Sequence, residues 1–85
     1  MIFFLYFLKN DFPYHRFAIS VNKKIDNAVH RNYIKRRMKE LFRLNQHLVT
    51  SQHDLWIVVK KKFDQSNMPE IERLFVDALI RIEYQ

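Results

Sequence analysis

The stretch Phe17-Ala18-Ile19-Ser20-Val21-Asn22-Lys23-Lys24-Ile25-Asp26-Asn27-Ala28-Val29-His30-Arg31-Asn32-Tyr33-Ile34-Lys35-Arg36-Arg37 changes its hydrophobic period part-way along. Phe17, Ile19 and Val21 alternate with Ala18, Ser20 and Asn22, the period of two of a strand with one apolar and one more polar face. From about Ala28 to Asn45 the period becomes helical, with Ile34, Met38, Leu41 and Phe42 spaced i, i+4, i+7, i+8 in one stripe. Successive residues on a helix are turned by about 100°. That rotation sets Asn32, Lys35, Arg36, Lys39 and Arg43 on the opposite face, with Arg31 and Arg37 near the margins of the stripe. A strand therefore leads through a short polar turn into a helix that packs on one side and carries a basic ridge on the other.

Upstream, Ile2-Phe3-Phe4-Leu5-Tyr6-Phe7-Leu8 is an apolar run of seven residues. A membrane-spanning helix needs about 20, and the basic start and small-residue cleavage site of a signal peptide are missing, so a buried strand is predicted. Lys9 to Pro13 is a polar, proline-containing turn. Downstream, Asp54-Leu55-Trp56-Ile57-Val58-Val59-Lys60 predicts a third strand. Ser66 to Glu70 opens a last helix, with Asn67 as N-cap, Pro69 in the first turn, and Ile71, Leu74, Phe75, Ala78, Leu79 and Ile82 as its apolar face. Trp56, Phe7 and Phe75 are assigned to the core. The order β-β-α-β-α predicts an α+β fold, a two-layer sandwich in which two helices cover one face of a small sheet. With no glycine in the chain, tight turns fall to Asn, Asp, Pro and Ser.

Eighty-five residues make one domain, 1–85, too small to enclose a deep active site. The absence of cysteine excludes disulfides, thiolate metal sites and cysteine nucleophiles, and with no secretion signal the expected compartment is cytoplasmic. Net charge is +6, from 15 basic and 9 acidic residues. Between Lys23 and Arg43 eight basic residues stand against two acidic ones, Asp26 and Glu40, a field that attracts polyanions. His15, His30, His47 and His53 match no zinc spacing, and His30 reads as a surface histidine. Asp11, Asp26, Glu40 and Asp54 are too scattered to form a metal-binding carboxylate cluster. No catalytic or metal-ligating residue is expected, nor a small-molecule substrate, and a protein-only nuclease and a membrane-bound protein are both disfavoured.

The opening stretch also resembles the signature of the bacterial ribonuclease P protein family. There, a strand ending in Ser-Val-Ser-Lys-Lys passes through Gly-Asn-Ala-Val into a helix opening Arg-Asn-Arg and continuing Ile-Lys-Arg. Twelve residues match in order: Ser20, Val21, Lys23, Lys24, Asn27, Ala28, Val29, Arg31, Asn32, Ile34, Lys35 and Arg36. Phe3-Phe4-Leu5-Tyr6 resembles the family's aromatic strand.

The resemblance implies a ribosomal protein S5 domain 2-like fold and a non-catalytic protein subunit of a ribonucleoprotein endoribonuclease. Its partners would be a catalytic RNA subunit, which carries the Mg²⁺, and precursor tRNA. Arg31, Lys35 and Arg36 would bind phosphates, with Asn32 in the same motif, Lys23 and Lys24 extending the patch, and Lys39 and Arg43 continuing the ridge. Tyr6 would contact the 5′ leader. Tyr33 stands in place of the usual third-motif arginine, Asp26 in place of the turn glycine and Asn22 in place of a serine. Members normally have a helix and short strand ahead of the aromatic strand, so less sheet cover and marginal stability without RNA are expected here. The alternative reading is a small structured-RNA-binding or ribosome-associated protein with no role in cleavage.

Overall fold

The computed structural model describes residues 2–82. Strands β1 (Phe3–Lys9) and β2 (Arg16–Val21) precede helix α1 (Ala28–Asn45); strand β3 (His53–Val59) and helix α2 (Met68–Ile82) follow. Short 3-10 turns at Gln46–Leu48 and Gln65–Asn67 lead into β3 and α2. The sheet order is β1-β3-β2, with β1 antiparallel and β2 parallel to the central β3. The matching α+β architecture, with both helices on one sheet face, agrees with the sequence reading.

Helix α1 starts where Asn27, in extended conformation, turns its side-chain oxygen to accept from the His30 N–H at 2.8 Å. That bond satisfies one donor of the first turn. The helix buries Ile34, Met38, Leu41 and Phe42, the four residues of the apolar stripe. Register sets the inner face of the sheet, because paired residues point the same way. Val59 pairs with Phe3 and Val21, Ile57 with Leu5 and Ile19, and Leu55 with Phe7 and Phe17. Against this face Phe17 stacks on Phe42 of α1 with centroids 4.3 Å apart, and Phe75 of α2 meets Phe3 and Phe17 edge-on at 6.3 Å each. Each fully buried side chain of this size stabilises the fold by roughly 1.5–3 kcal/mol. These contacts hold both helices to the same side.

Several expectations are corrected. β1 is not buried: Phe3 is, but Phe4, Tyr6 and Leu8 are 43%, 53% and 70% exposed because they point to the face no helix covers. Trp56 is 47% exposed for the same reason, since it alternates with the inward Leu55 and Ile57. Phe7 faces inward but lies towards the far end of the sheet, beside His53, and stays 39% exposed. Of the three aromatics assigned to the core, Phe75 alone is in it. The cap ahead of α2 is Asp64, whose carboxylate accepts from Ser66 N–H; Asn67 accepts from the Asp64 N–H at 3.1 Å instead of capping the helix itself. His30 is half-buried, its Nε2 lying 2.9 Å from the Phe63 carbonyl oxygen. His53 and Asp54 do point to opposite faces, the histidine buried and the carboxylate outward.

Candidate RNA interface

The side of α1 away from the sheet gathers Asn32, Lys35, Arg36 and Lys39, which with Val29 line an open groove of about 460 Å³. Their spacing of i, i+3, i+4, i+7 makes this a single helical face. Lys23 and Lys24 lie exposed in the turn just before the helix.

The other two expected cations are engaged within the protein. Arg43 forks onto Glu40, with contacts of 3.0 and 2.6 Å, and that bidentate pair holds the Glu40 carboxyl below the usual range. The Arg31 guanidinium donates to the Lys23 carbonyl at 2.9 Å and to the Asp26 carbonyl, stapling the turn to the helix. Arg31 thereby orders the loop that presents Lys23 and Lys24.

Asp26 has φ 144°, in the region that favours glycine, at the position where the resembling signature has one. Its carboxylate lies 2.9 Å from the Lys62 ammonium and 3.9 Å from His30, and accepts from the Asn27 N–H at 2.8 Å. The Lys62 contact first, then the Asn27 N–H, holds its carboxyl low. The negative charge inside the patch is thus matched by a lysine from the loop after β3. Tyr33, at the third motif position, is half-buried against the core and beside the His30 ring at 5.7 Å.

The helix-free face of the sheet is a second surface. Tyr6 and Trp56 pair across β1 and β3 with centroids 5.5 Å apart, and the Trp56 indole N–H donates to Ser20 Oγ at 2.9 Å. Ala18, opposite Trp56, leaves room for an open concavity of about 460 Å³ lined by Tyr6, Leu8, Arg16, Ala18, Asp54 and Trp56 among others. Arg16 and Asp54 close one end as a cross-strand pair, at 2.7 and 2.5 Å, with Asn10 adding 2.8 Å. These bonds, Arg16 first and Asn10 second, lower the Asp54 pKa to about 2. The Arg16 guanidinium also sits 4.4 Å from the Phe12 ring centroid. Tyr6 thus lies on an open aromatic surface whose other half, Trp56, was assigned to the core; Leu55 to Val59 is apolar at every position, so no alternation in the sequence marked Trp56 as outward.

Among the described residues no three His, Cys, Asp or Glu side chains gather as a metal site would need, and no helix is long and apolar enough to cross a membrane.

The family model described as Ribonuclease P matches residues 2–83. The chain belongs to that family. The ribonuclease P protein component of Alkaliphilus metalliredigens is 34% identical over 79 residues, covering 93% of this chain and 71% of the relative. That of Fusobacterium nucleatum is 40% identical over 62 residues, covering 73% of this chain and 56% of the relative. The chain thus spans between about half and about seven-tenths of the length of these ribonuclease P relatives. The solved structure of the ribonuclease P protein from Thermotoga maritima superposes with a TM-score of 0.82 at 29% identity, covering 93% of this chain and 76% of that one. The ribonuclease P protein from Thermotoga maritima therefore shares this fold.

Proposed function

We propose that this chain acts as the protein component of a bacterial ribonuclease P: a single RNA-binding domain, working in the cytoplasm, that supports 5′-end maturation of tRNA. The α1 ridge binds the catalytic RNA, and the open sheet face takes the 5′ leader of precursor tRNA, with Tyr6 in contact. Cleavage belongs to the RNA and its Mg²⁺. The protein contributes no reacting group; it neutralises phosphates, releases their counterions and orients the substrate.

The observation that carries this reading is the convergence of Asn32, Lys35, Arg36 and Lys39 on one groove of α1 directly after the strand–turn motif. Lysine and arginine at this spacing meet successive phosphates without reading bases, as recognition of a structured RNA by shape requires. Arg31 supports the same surface by fixing the turn, with Lys23 and Lys24 extending it.

Multiple-turnover cleavage of precursor tRNA at low Mg²⁺ by a bacterial ribonuclease P RNA, with and without the protein, tests the proposal. The wild type is expected to stimulate correct 5′ cleavage. A Lys35→Ala/Arg36→Ala variant should bind the RNA subunit about tenfold or more weakly and lower the salt slope by about 1.8, the loss of two duplex-phosphate contacts. RNA binding by the wild type with no effect on cleavage would overturn it in favour of a module that docks on structured RNA without a processing role.

A further inference from the structure

Strand β1 is an outer strand of the sheet: β3 lies on one side of it and, among the described residues, no strand lies on the other. The hydrogen bonds just beyond its two ends show which of its backbone groups are left over. The Lys60 N–H donates to the Ile2 carbonyl at 2.8 Å, and the Asn10 N–H donates to the Gln52 carbonyl at 3.0 Å. Along an antiparallel strand, successive residues turn their N–H and C=O groups alternately to one neighbour and to the other. The register runs unbroken from Phe3 to Lys9. Phe4, Tyr6 and Leu8 therefore bond to β3, while Phe3, Leu5, Phe7 and Lys9 hold their donors and acceptors out to the open edge.

Such an edge is a template for another strand, and proteins ordinarily blunt it with proline, a bulge or an inward charge. β1 has no proline and no bulge, and its one charged residue, Lys9, stands at its end. Its side chains are bare as well. Phe4, Tyr6 and Leu8 are exposed on the helix-free face, and Phe7 stays partly exposed although it points to the helices. The other outer strand, β2, differs, because its Arg16 and Ser20 are already engaged by Asp54 and Trp56.

The sequence of β1 is complementary to itself. Laid antiparallel on a second copy with Tyr6 opposite Tyr6, it sets Phe3 against Lys9 and Leu5 against Phe7, and each of these outward-bonding pairs exchanges both its bonds. On the helix-free face Phe4 meets Leu8, and no lysine meets a lysine. Sliding the strands by two residues keeps the bonding pattern but leaves residues at the ends unpaired, so only the register centred on Tyr6 uses the whole strand. Paired side chains point the same way, which lays Leu5 of the second copy beside the bare Phe7. We propose that the chain forms a twofold dimer through β1, joining two three-stranded sheets into one of six strands.

The contact lies in the plane of the sheet, so the α1 ridge and the helix-free face of each copy stay open, and the proposal is independent of the function given above. One strand pair buries less than the roughly 1,200–2,000 Å² of a stable complex, so the dimer is weak, with a Kd of about 10–100 μM. Each copy carries a net charge of +6, and salt screens the repulsion between them. Dimerisation therefore tightens as salt rises, whereas RNA binding weakens.

Sedimentation equilibrium of the wild type, over about 1–500 μM at low and high salt, should show a reversible monomer–dimer equilibrium that shifts to dimer with salt. The chain has no cysteine, so an introduced one reports the register. At the twofold position Tyr6→Cys brings two Cα atoms to about 4.5 Å, within reach of a disulfide. Leu8→Cys faces Phe4 of the other copy, with its own mate about 13 Å away along the strand. On oxidation Tyr6→Cys should form a covalent dimer at least about tenfold faster than Leu8→Cys. Tyr6→Lys and Tyr6→Glu each place like charges opposite one another, so each alone should sediment as a monomer and an equal mixture of the two should dimerise again, a result that loss of folding cannot produce. A wild type that stays monomeric throughout, equal cross-linking of the two cysteine variants, or association that continues past the dimer overturns the proposal.

Discussion

The Lys62 ammonium lies 2.9 Å from the Asp26 carboxylate and so ties the loop after β3 to the turn before α1. Asp26 holds φ at 144°, a conformation that costs a residue with a Cβ and costs glycine little. An exposed ion pair contributes little by comparison. Asp26→Gly should therefore raise the melting midpoint by a few degrees and also raise affinity for RNA at low salt, since a negative charge leaves the patch. Asp26→Asn, which removes the charge and keeps the Cβ, should raise the affinity without the gain in melting temperature. Thermal melts and RNA titrations of the two variants check this.

Arg31 acts through shape as well as charge. One nitrogen of its guanidinium bridges the carbonyls of Lys23 and Asp26, which a lysine ammonium on a shorter stem does not reproduce. Arg31→Lys should lower the melting midpoint by several degrees and weaken RNA binding, whereas Lys35→Arg on the open ridge should leave both near the wild type. Circular dichroism melts beside filter-binding titrations would separate the two.

Trp56 is the chain's one tryptophan and stands on the open aromatic face. Leader binding should therefore change its fluorescence directly. Replacing a stacking aromatic costs about 1–3 kcal/mol per base, so Trp56→Ala should weaken precursor tRNA binding by roughly 5- to 150-fold on the relation of 1.4 kcal/mol per decade. Mature tRNA, with no leader, should bind as before. Its indole N–H bond to Ser20 fixes the ring's orientation, and Trp56→Phe should recover only part of the loss.

Acid stability should report the Arg16–Asp54 pair. The Asp54 pKa is lowered from its ordinary 3.8 to about 2. A folded-state pKa below the unfolded one stabilises the protein above the unfolded value and ceases to do so as pH falls through the folded value. Between about pH 4 and pH 2 the wild type should therefore lose stability faster than Asp54→Asn, which has no proton to take up there. The lowered carboxyls of Asp26, Glu40 and Asp64 give a common slope in both proteins, so the difference between the two denaturation curves isolates Asp54.

The limits of α1 and its four buried residues were legible because a long helix repeats its apolar signal over five turns and begins at an asparagine cap. The cationic groove was legible for the same reason. Trp56 was misassigned because five apolar residues in a row resemble a strand buried on both faces, while helices cover this sheet on one side only. Sheet order was out of reach: β1 and β2 are neighbours in sequence, and the short turn between them favours a hairpin that does not form. Roles set by distant partners left no local trace either, among them Lys62 on Asp26 and His30 on the Phe63 carbonyl.

The central position of β3 has a consequence for the order of events during synthesis. β1 and β2 each pair with β3 and not with one another, so neither has a hydrogen-bonded partner until His53–Val59 has emerged. The basic helix, made of local contacts, can form earlier, while the sheet must wait for contacts that close long loops. A nascent chain would thus display its cationic helix and unpaired apolar strands together before the ribosome has finished the last third of the protein, and an RNA able to engage that helix early would meet the chain at its most aggregation-prone moment.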